Sequence, residues 1–232
     1  MFKNDTRRSC EGNAKIQTHT FPKINTIRGK KRICTCYNAH MSYSAKTFSF
    51  PALQGISPKQ LEVHLKLYEG YVKFLNTLES VVADLKKDTE KNAYALGEVT
   101  RRIGFEFNGM RMHEHYFSQW ESGPSPIEGT LRDTLSAQYG SMELWQNEFS
   151  AVGMMRGIGW AILSYDPVGK KFFNHFVMDH ELGQLNSTTT ILALDMWEHA
   201  YMVDYTPSEK KQYIEAFFKN LNGSIVEKRF IS

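Results

Sequence analysis

SPKQLEVHLKLYEGYVKFLNTLESVVADLKK, residues 57–87, sets the architecture of the chain around it. Ser57 and Pro58 supply a helix start, because serine can cap the first free N–H groups and proline fits the first turn, where its missing N–H costs nothing. From there Leu61, Leu65, Tyr68, Val72, Leu75, Leu78, Val82 and Leu85 recur at three- and four-residue steps, the period of one apolar helical stripe. A long, core-facing helix is predicted. The polar return KKDTEKN (86–92) and a second helical pattern over 91–120 then predict an antiparallel helical hairpin.

ESGPSPIEG (121–129) breaks the chain with two prolines and two glycines and makes the best domain boundary. Beyond it, 130–150 reads as helix. IGWAILSYD (158–166) and KFFNHFVMD (171–179) are aromatic, β-branched runs joined by PVGK, a hairpin signal. A third run, TTTILAL (188–194), leads directly into Asp195, and SEKKQYIEAFFKNL within 207–222 is a last helix closed by Asn222 and Gly223. The expected class is α+β: an N-terminal antiparallel helical hairpin followed by an α/β domain with a three-stranded antiparallel sheet. The expected division is an arm over 1–40, the hairpin over 41–122 and the second domain over 123–232.

A chain of 232 residues with 41% hydrophobic side chains can bury a sizeable core. It contains no apolar run of about 18 residues and no apolar centre of a secretory signal, so no membrane partner is expected. The net charge of +3 conceals an asymmetry: residues 1–40 carry nine Lys or Arg against Asp5 and Glu11, a segment at +7 that also holds Cys10, Cys34 and Cys36. The remainder is cysteine-free at −4. Three readings fit the arm: a targeting peptide, a nucleic-acid- or surface-binding tail, and an extension upstream of a start at Met41. The last is the default, so no nucleic-acid partner is expected and the location is cytoplasmic, or an organelle if the arm is a targeting peptide. CTC (34–36) with His40 is a weak zinc pattern, lacking a second cysteine pair.

Chemistry concentrates on histidine. His64 falls in the first helix one turn before Tyr68, where a lone histidine is ordinarily a hydrogen-bonded core residue. FNGMRMHEHYFSQW (107–120) places His113 and His115 in an aromatic surround on the second helix, and residues two apart face different sides, so only one can look toward His64. His115 is the choice, with His113 on the outer rim. LALDMWEHAY (192–201) supplies a carboxylate, Asp195, and an imidazole, His199, four residues on, where a strand ends in a turn. Three imidazoles and one carboxylate suit Fe, Mn or Zn and disfavour soft metals. His175 alternates within a strand and reads as a sheet-surface residue.

DMWEHAY resembles the C-terminal metal signature of the iron/manganese superoxide dismutase family, FN…HEHYF its second-helix segment, and RGIGWAIL (156–163) its glycine-tryptophan strand, in the same order over about 45–225. The resemblance implies one Fe or Mn ion per subunit held by His64, His115, Asp195 and His199, with superoxide as the small-molecule substrate and a homodimer or homotetramer as the assembly. It implies walls from Trp160 and Trp197, and a Glu198 that reaches across a two-fold interface. Tyr71 would be the gateway tyrosine and His180, fifteen residues before Asp195, the donor from the sheet domain; Arg111 stands at the second-helix position where some members carry a glutamine. The chain departs from the family in having one residue fewer between His64 and Tyr71, so either the first helix lacks a local bulge or Tyr68 shares the gateway role. The 40-residue arm has no counterpart in compact members. A zinc-dependent hydrolase and a non-catalytic metal-binding relative of the same fold are the alternatives.

Overall fold

The computed structural model describes residues 42–231. The arm over 1–40, its three cysteines, His40 and Met41 lie outside the described residues. Ser57 caps α1 (Pro58–Leu85) by accepting from the Gln60 N–H at 3.0 Å. α1 is α-helical throughout its 28 residues, and α2 (Ala93–Ser118) returns against it. The buried side of α1 is Gln60, His64, Tyr68, Tyr71, Val72, Leu75 and Val82, whereas Leu61, Leu65, Leu78 and Leu85 are only half-buried. The contact face is thus rotated from the apolar stripe toward the polar residues, which accept burial because they find partners there.

After the break, the expected helix over 130–150 is two: α3 (Gly129–Tyr139) and α4 (Met142–Gly153). Gly140 takes φ +92°, which ends α3, and Ser141 restarts the chain by capping the Leu144 N–H at 3.1 Å. β1 (Gly159–Asp166), β2 (Lys171–Met178) and β3 (Thr189–Asp195) form an antiparallel sheet in the order β2-β1-β3. Trp160 is paired with Asp195 in the β1–β3 register. Gly159 enables that start: its φ is +148° and a Cβ would lie 2.0 Å from the Val177 carbonyl oxygen.

α5 (Lys210–Asn220) matches the last expected helix, but Asn222 and Gly223 open a further one, α6 (Gly223–Ile231). The Asn222 side chain accepts from the N–H groups of Ser224 (3.0 Å) and Ile225 (3.3 Å), so it caps a helix start instead of closing an end. The core lies between sheet and helices. Ala161, Ile162, Leu163, Ile191, Leu192, Ala193 and Leu194 are buried with Trp145, Phe149, Phe217 and Val226. Each large side chain of this kind contributes about 2–3 kcal/mol. No helix among the described residues is long and apolar enough to cross a membrane.

Candidate metal centre

His64 on α1, His113 on α2, Asp195 at the end of β3 and His199 in the short helical turn Glu198–Ala200 converge on one point, with their candidate ligand atoms all within 4.8 Å of one another. The Nε2 atoms of His64, His199 and His113 lie 3.0, 3.3 and 3.5 Å from a single oxygen, Asp195 Oδ2. The other carboxylate oxygen accepts the Trp197 N–H at 2.8 Å, which fixes the carboxylate plane.

His115 is not in this group, and His113, assigned to the rim from the sequence, is. On α2 the buried residues Glu106, Gly109, Met110, His113, Tyr116 and Phe117 repeat at three- and four-residue steps, with Met112 and Glu114 buried at the sides of that stripe. His115 stands roughly 200° around the helix from His113. It is half-buried among the charges of Arg229, Glu114 and Lys46, and burial first, then Arg229, pushes its imidazole down to about 4. A stripe through Met110 and Phe117 lands on His113, whereas Met112, three residues before His115, supports the rival phase. The same shift moves the helix position nearest the cluster from Arg111 to Gly109. Arg111 is turned outward to Glu114 at 2.8 Å, whereas Gly109 is buried, and its carbonyl oxygen lies 2.6 Å from His113 Nδ1.

That carbonyl can only accept, so His113 Nδ1 carries the ring proton and Nε2 presents a lone pair. His113 Nε2 is completely buried and has no hydrogen-bond partner among the described residues. Burial and the neighbouring His64 hold the His113 imidazole well below its ordinary value; burial also lowers His64, opposed in part by Asp195. Burial alone would raise Asp195, but His199 and His64 hold it far below the usual carboxylate range. Near pH 7 the site therefore holds an anionic carboxylate and the neutral imidazoles of His64 and His113, the latter with an orphaned Nε2, in a buried shell. A buried negative charge of this kind calls for a bound cation, and the three-nitrogen, one-oxygen set fits Fe, Mn or Zn.

The surrounding shell is aromatic and ordered by hydrogen bonds. Trp160 Nε1–H donates to His180 Nδ1 at 2.8 Å, so the proton of neutral His180 sits on Nε2, which donates to the Tyr71 hydroxyl oxygen at 2.7 Å. Trp197 stacks on both His180 and His199, at ring separations of 5.0 and 5.6 Å. Tyr68 does not reach His180; its hydroxyl accepts the Lys46 N–H and donates to Glu114. Gln60, overlooked in the sequence, holds the His199 turn by donating to the His199 carbonyl at 2.6 Å and accepting the Val203 N–H at 3.0 Å. It sits one turn before His64. Polar residues spaced by four on the buried face were its signature. His175 is half-buried, with Ser164 Oγ at 2.9 Å and the Gly183 carbonyl at 3.1 Å.

Burial pushes the fully enclosed His180 down to about 4, against about 6.5 for an unfolded histidine. A depressed folded value stabilises the native state above the unfolded value and loses that contribution as the pH falls through 6.5 toward 4. For His180 alone this amounts to about 3 kcal/mol, and His64 and His113 act in the same direction. Metal-stripped protein is expected to show a melting temperature that falls steadily from pH 7 to pH 4 in calorimetry. A flat profile above pH 4.5 would mean that these rings are hydrated.

Comparison with known proteins matches this geometry. Residues 127–229 match the family described as iron/manganese superoxide dismutases, C-terminal domain. The chain is 34% identical over 181 residues to the superoxide dismutase [Fe] of Cupriavidus metallidurans, covering 77% of this chain and 90% of that protein. It is 37% identical over 154 residues to superoxide dismutase [Mn] 2 of Halobacterium salinarum, covering 66% and 74%. With the superoxide dismutase [Fe] of Aquifex pyrophilus it shares 31% identity over 185 residues, covering 77% and 85%. Similarity that spans nine-tenths of one such enzyme, on a fold that gathers three imidazoles and a carboxylate, places the chain in the iron/manganese superoxide dismutase family.

Proposed function

We propose that the protein is a superoxide dismutase that holds one Fe or Mn ion per subunit through His64, His113, Asp195 and His199. The observation that carries the reading is the convergence of three Nε2 atoms on Asp195 Oδ2, with His113 Nε2 buried and unpartnered. The chemistry such an ion supplies is one-electron exchange: one superoxide gives up an electron to become dioxygen, and a second gains an electron and two protons to become hydrogen peroxide.

The chain's own residues then have two tasks, holding the donors and supplying protons. His180 and Tyr71 are the proposed catalytic pair. Because His180 donates to the Tyr71 oxygen, the Tyr71 hydroxyl proton is free to be donated elsewhere. Burial, and then the Asp195 charge, keep that phenol protonated well beyond its ordinary range. Trp160 and Trp197 close the site against water, which strengthens the electrostatic interactions within it. An exposed Glu198 beside His199 supports a homodimer or homotetramer assembled at this end of the molecule. The Pro/Gly break over 121–129 supports a division into a hairpin over 41–122 and an α+β domain over 123–232, preceded by the basic arm. A cytoplasmic location is proposed, or an organelle if that arm directs import.

The test is superoxide disproportionation by the purified full chain, with Fe, Mn and Zn quantified on the same sample. Activity that scales with Fe or Mn content is expected. Stoichiometric zinc, or stoichiometric metal without turnover, would overturn the reading.

A further inference from the structure

β3 is an edge strand, since the sheet order is β2-β1-β3. Among the described residues its outer side has no strand partner, yet it leads straight into Asp195, and backbone polar groups buried there need partners. Three side chains take the place of a fourth strand. Arg229 NH1 donates to the Ile191 carbonyl at 2.9 Å, Gln119 Nε2 donates to the Ala193 carbonyl at 2.5 Å, and the Tyr213 hydroxyl donates to the Asp195 carbonyl at 2.8 Å. The contacts fall on alternate residues, the spacing at which one edge of a strand presents its carbonyls.

Each rung also reaches the helix that carries His113. Arg229 NH2 donates to the His115 carbonyl at 2.7 Å and to Ser118 Oγ at 2.8 Å, and the Tyr213 hydroxyl lies 2.9 Å from that of Tyr116. Gln119 belongs to the end of α2 itself. It is completely buried, and its amide oxygen accepts from Arg229 NH1 at 3.2 Å and from the Ala193 N–H at 3.5 Å. A guanidinium only donates and a carbonyl only accepts, so the side chain between Arg229 and the Ala193 carbonyl must offer an acceptor and a donor together. Glutamine does so; glutamate, leucine and methionine do not.

We infer that Gln119 is a positioning residue for the metal centre: with Arg229 and Tyr213 it fixes Asp195 on β3 against His113 on α2. The inference rests on the proposed reading of that cluster as a metal site. Groups that orient ligands from behind ordinarily change metal affinity by about 10–100-fold when removed.

The experiment uses the full chain loaded with Fe or Mn. Metal release to EDTA and the electron paramagnetic resonance spectrum of the ferric form are recorded for wild type, Gln119→Leu and Gln119→Glu. Leu135→Ala, a core truncation in α3, serves as a control for loss of stability alone. Gln119→Leu is expected to release metal about 10-fold faster or more and to alter the rhombicity of the ferric spectrum. Gln119→Glu, which loses only the donor to Ala193, should fall between it and wild type. Leu135→Ala should lower the melting temperature and leave both readouts unchanged. If Gln119→Leu does not fold, Gln119→Glu decides alone. Spectra and release rates that match wild type, or that shift equally in Leu135→Ala in step with its melting temperature, overturn the positioning role while leaving the enzyme reading intact. A wild type that takes up neither Fe nor Mn overturns both.

Discussion

Replacement of His113 by alanine is expected to remove bound metal and superoxide turnover together, whereas His115→Ala keeps the metal at full stoichiometry. The two histidines differ by two residues and have opposite surroundings. His113 Nε2 is aimed into the cluster, 3.5 Å from Asp195 Oδ2, and its ring is fully buried. Taking it away deletes one of four protein donors, so affinity should fall by more than the roughly 100-fold typical of an outer partner. His115 is half-buried, and the bond it gives Arg229 comes from its backbone carbonyl, which alanine retains. Its truncation should cost about 1 kcal/mol of stability. Elemental analysis beside an activity assay distinguishes the two variants. The reverse pattern, metal lost with His115 and kept without His113, would restore the assignment made from spacing alone.

Gly109→Ala should produce the second large effect, through Tyr71. A Cβ at position 109 would stand 2.6 Å from Tyr71 Cδ1, 2.7 Å from Cε1 and 3.0 Å from Cγ, which no real contact tolerates. The tyrosine ring cannot simply swing aside, because His180, His113 and Phe105 surround it at ring separations of 4.9, 5.0 and 6.1 Å. Either the ring slides and its 2.7 Å contact with His180 breaks, or α1 and α2 move apart. Overpacking of this kind costs about 1–3 kcal/mol, only partly offset by the better helix propensity of alanine, about 1 kcal/mol. Turnover at constant metal content should fall by about 100-fold, toward that of Tyr71→Phe and His180→Ala, the scale expected when a positioned proton donor is lost. Wild-type turnover in a fully metallated Gly109→Ala protein would show that the Tyr71–His180 contact does not set the rate.

Features that depend on neighbours along the chain were legible in the residues alone. Ser57 and Pro58 mark the start of α1 because a cap is a bond between residues three apart. PVGK marks the β1–β2 hairpin because a turn is local, and Asp195 with His199 reads as half a site because four residues bring both to one place. Where two local signals were equally good, the chain gave no decision. Asn222-Gly223 could end one helix or begin the next, and the structure begins α6 there because Asn222 meets the N–H groups of Ser224 and Ile225. His113 and His115 both fit a helix rich in aromatics. Packing chose between them, because a helix has no inside until something lies against it. α2 is phased by Tyr71 filling the space that Gly109 leaves and by Gln119 bonding to Ala193, contacts that span 38 and 74 residues of sequence. The Tyr71–His180 hydrogen bond joins residues 109 apart, and its existence depends on how hairpin and sheet meet, which no periodicity records.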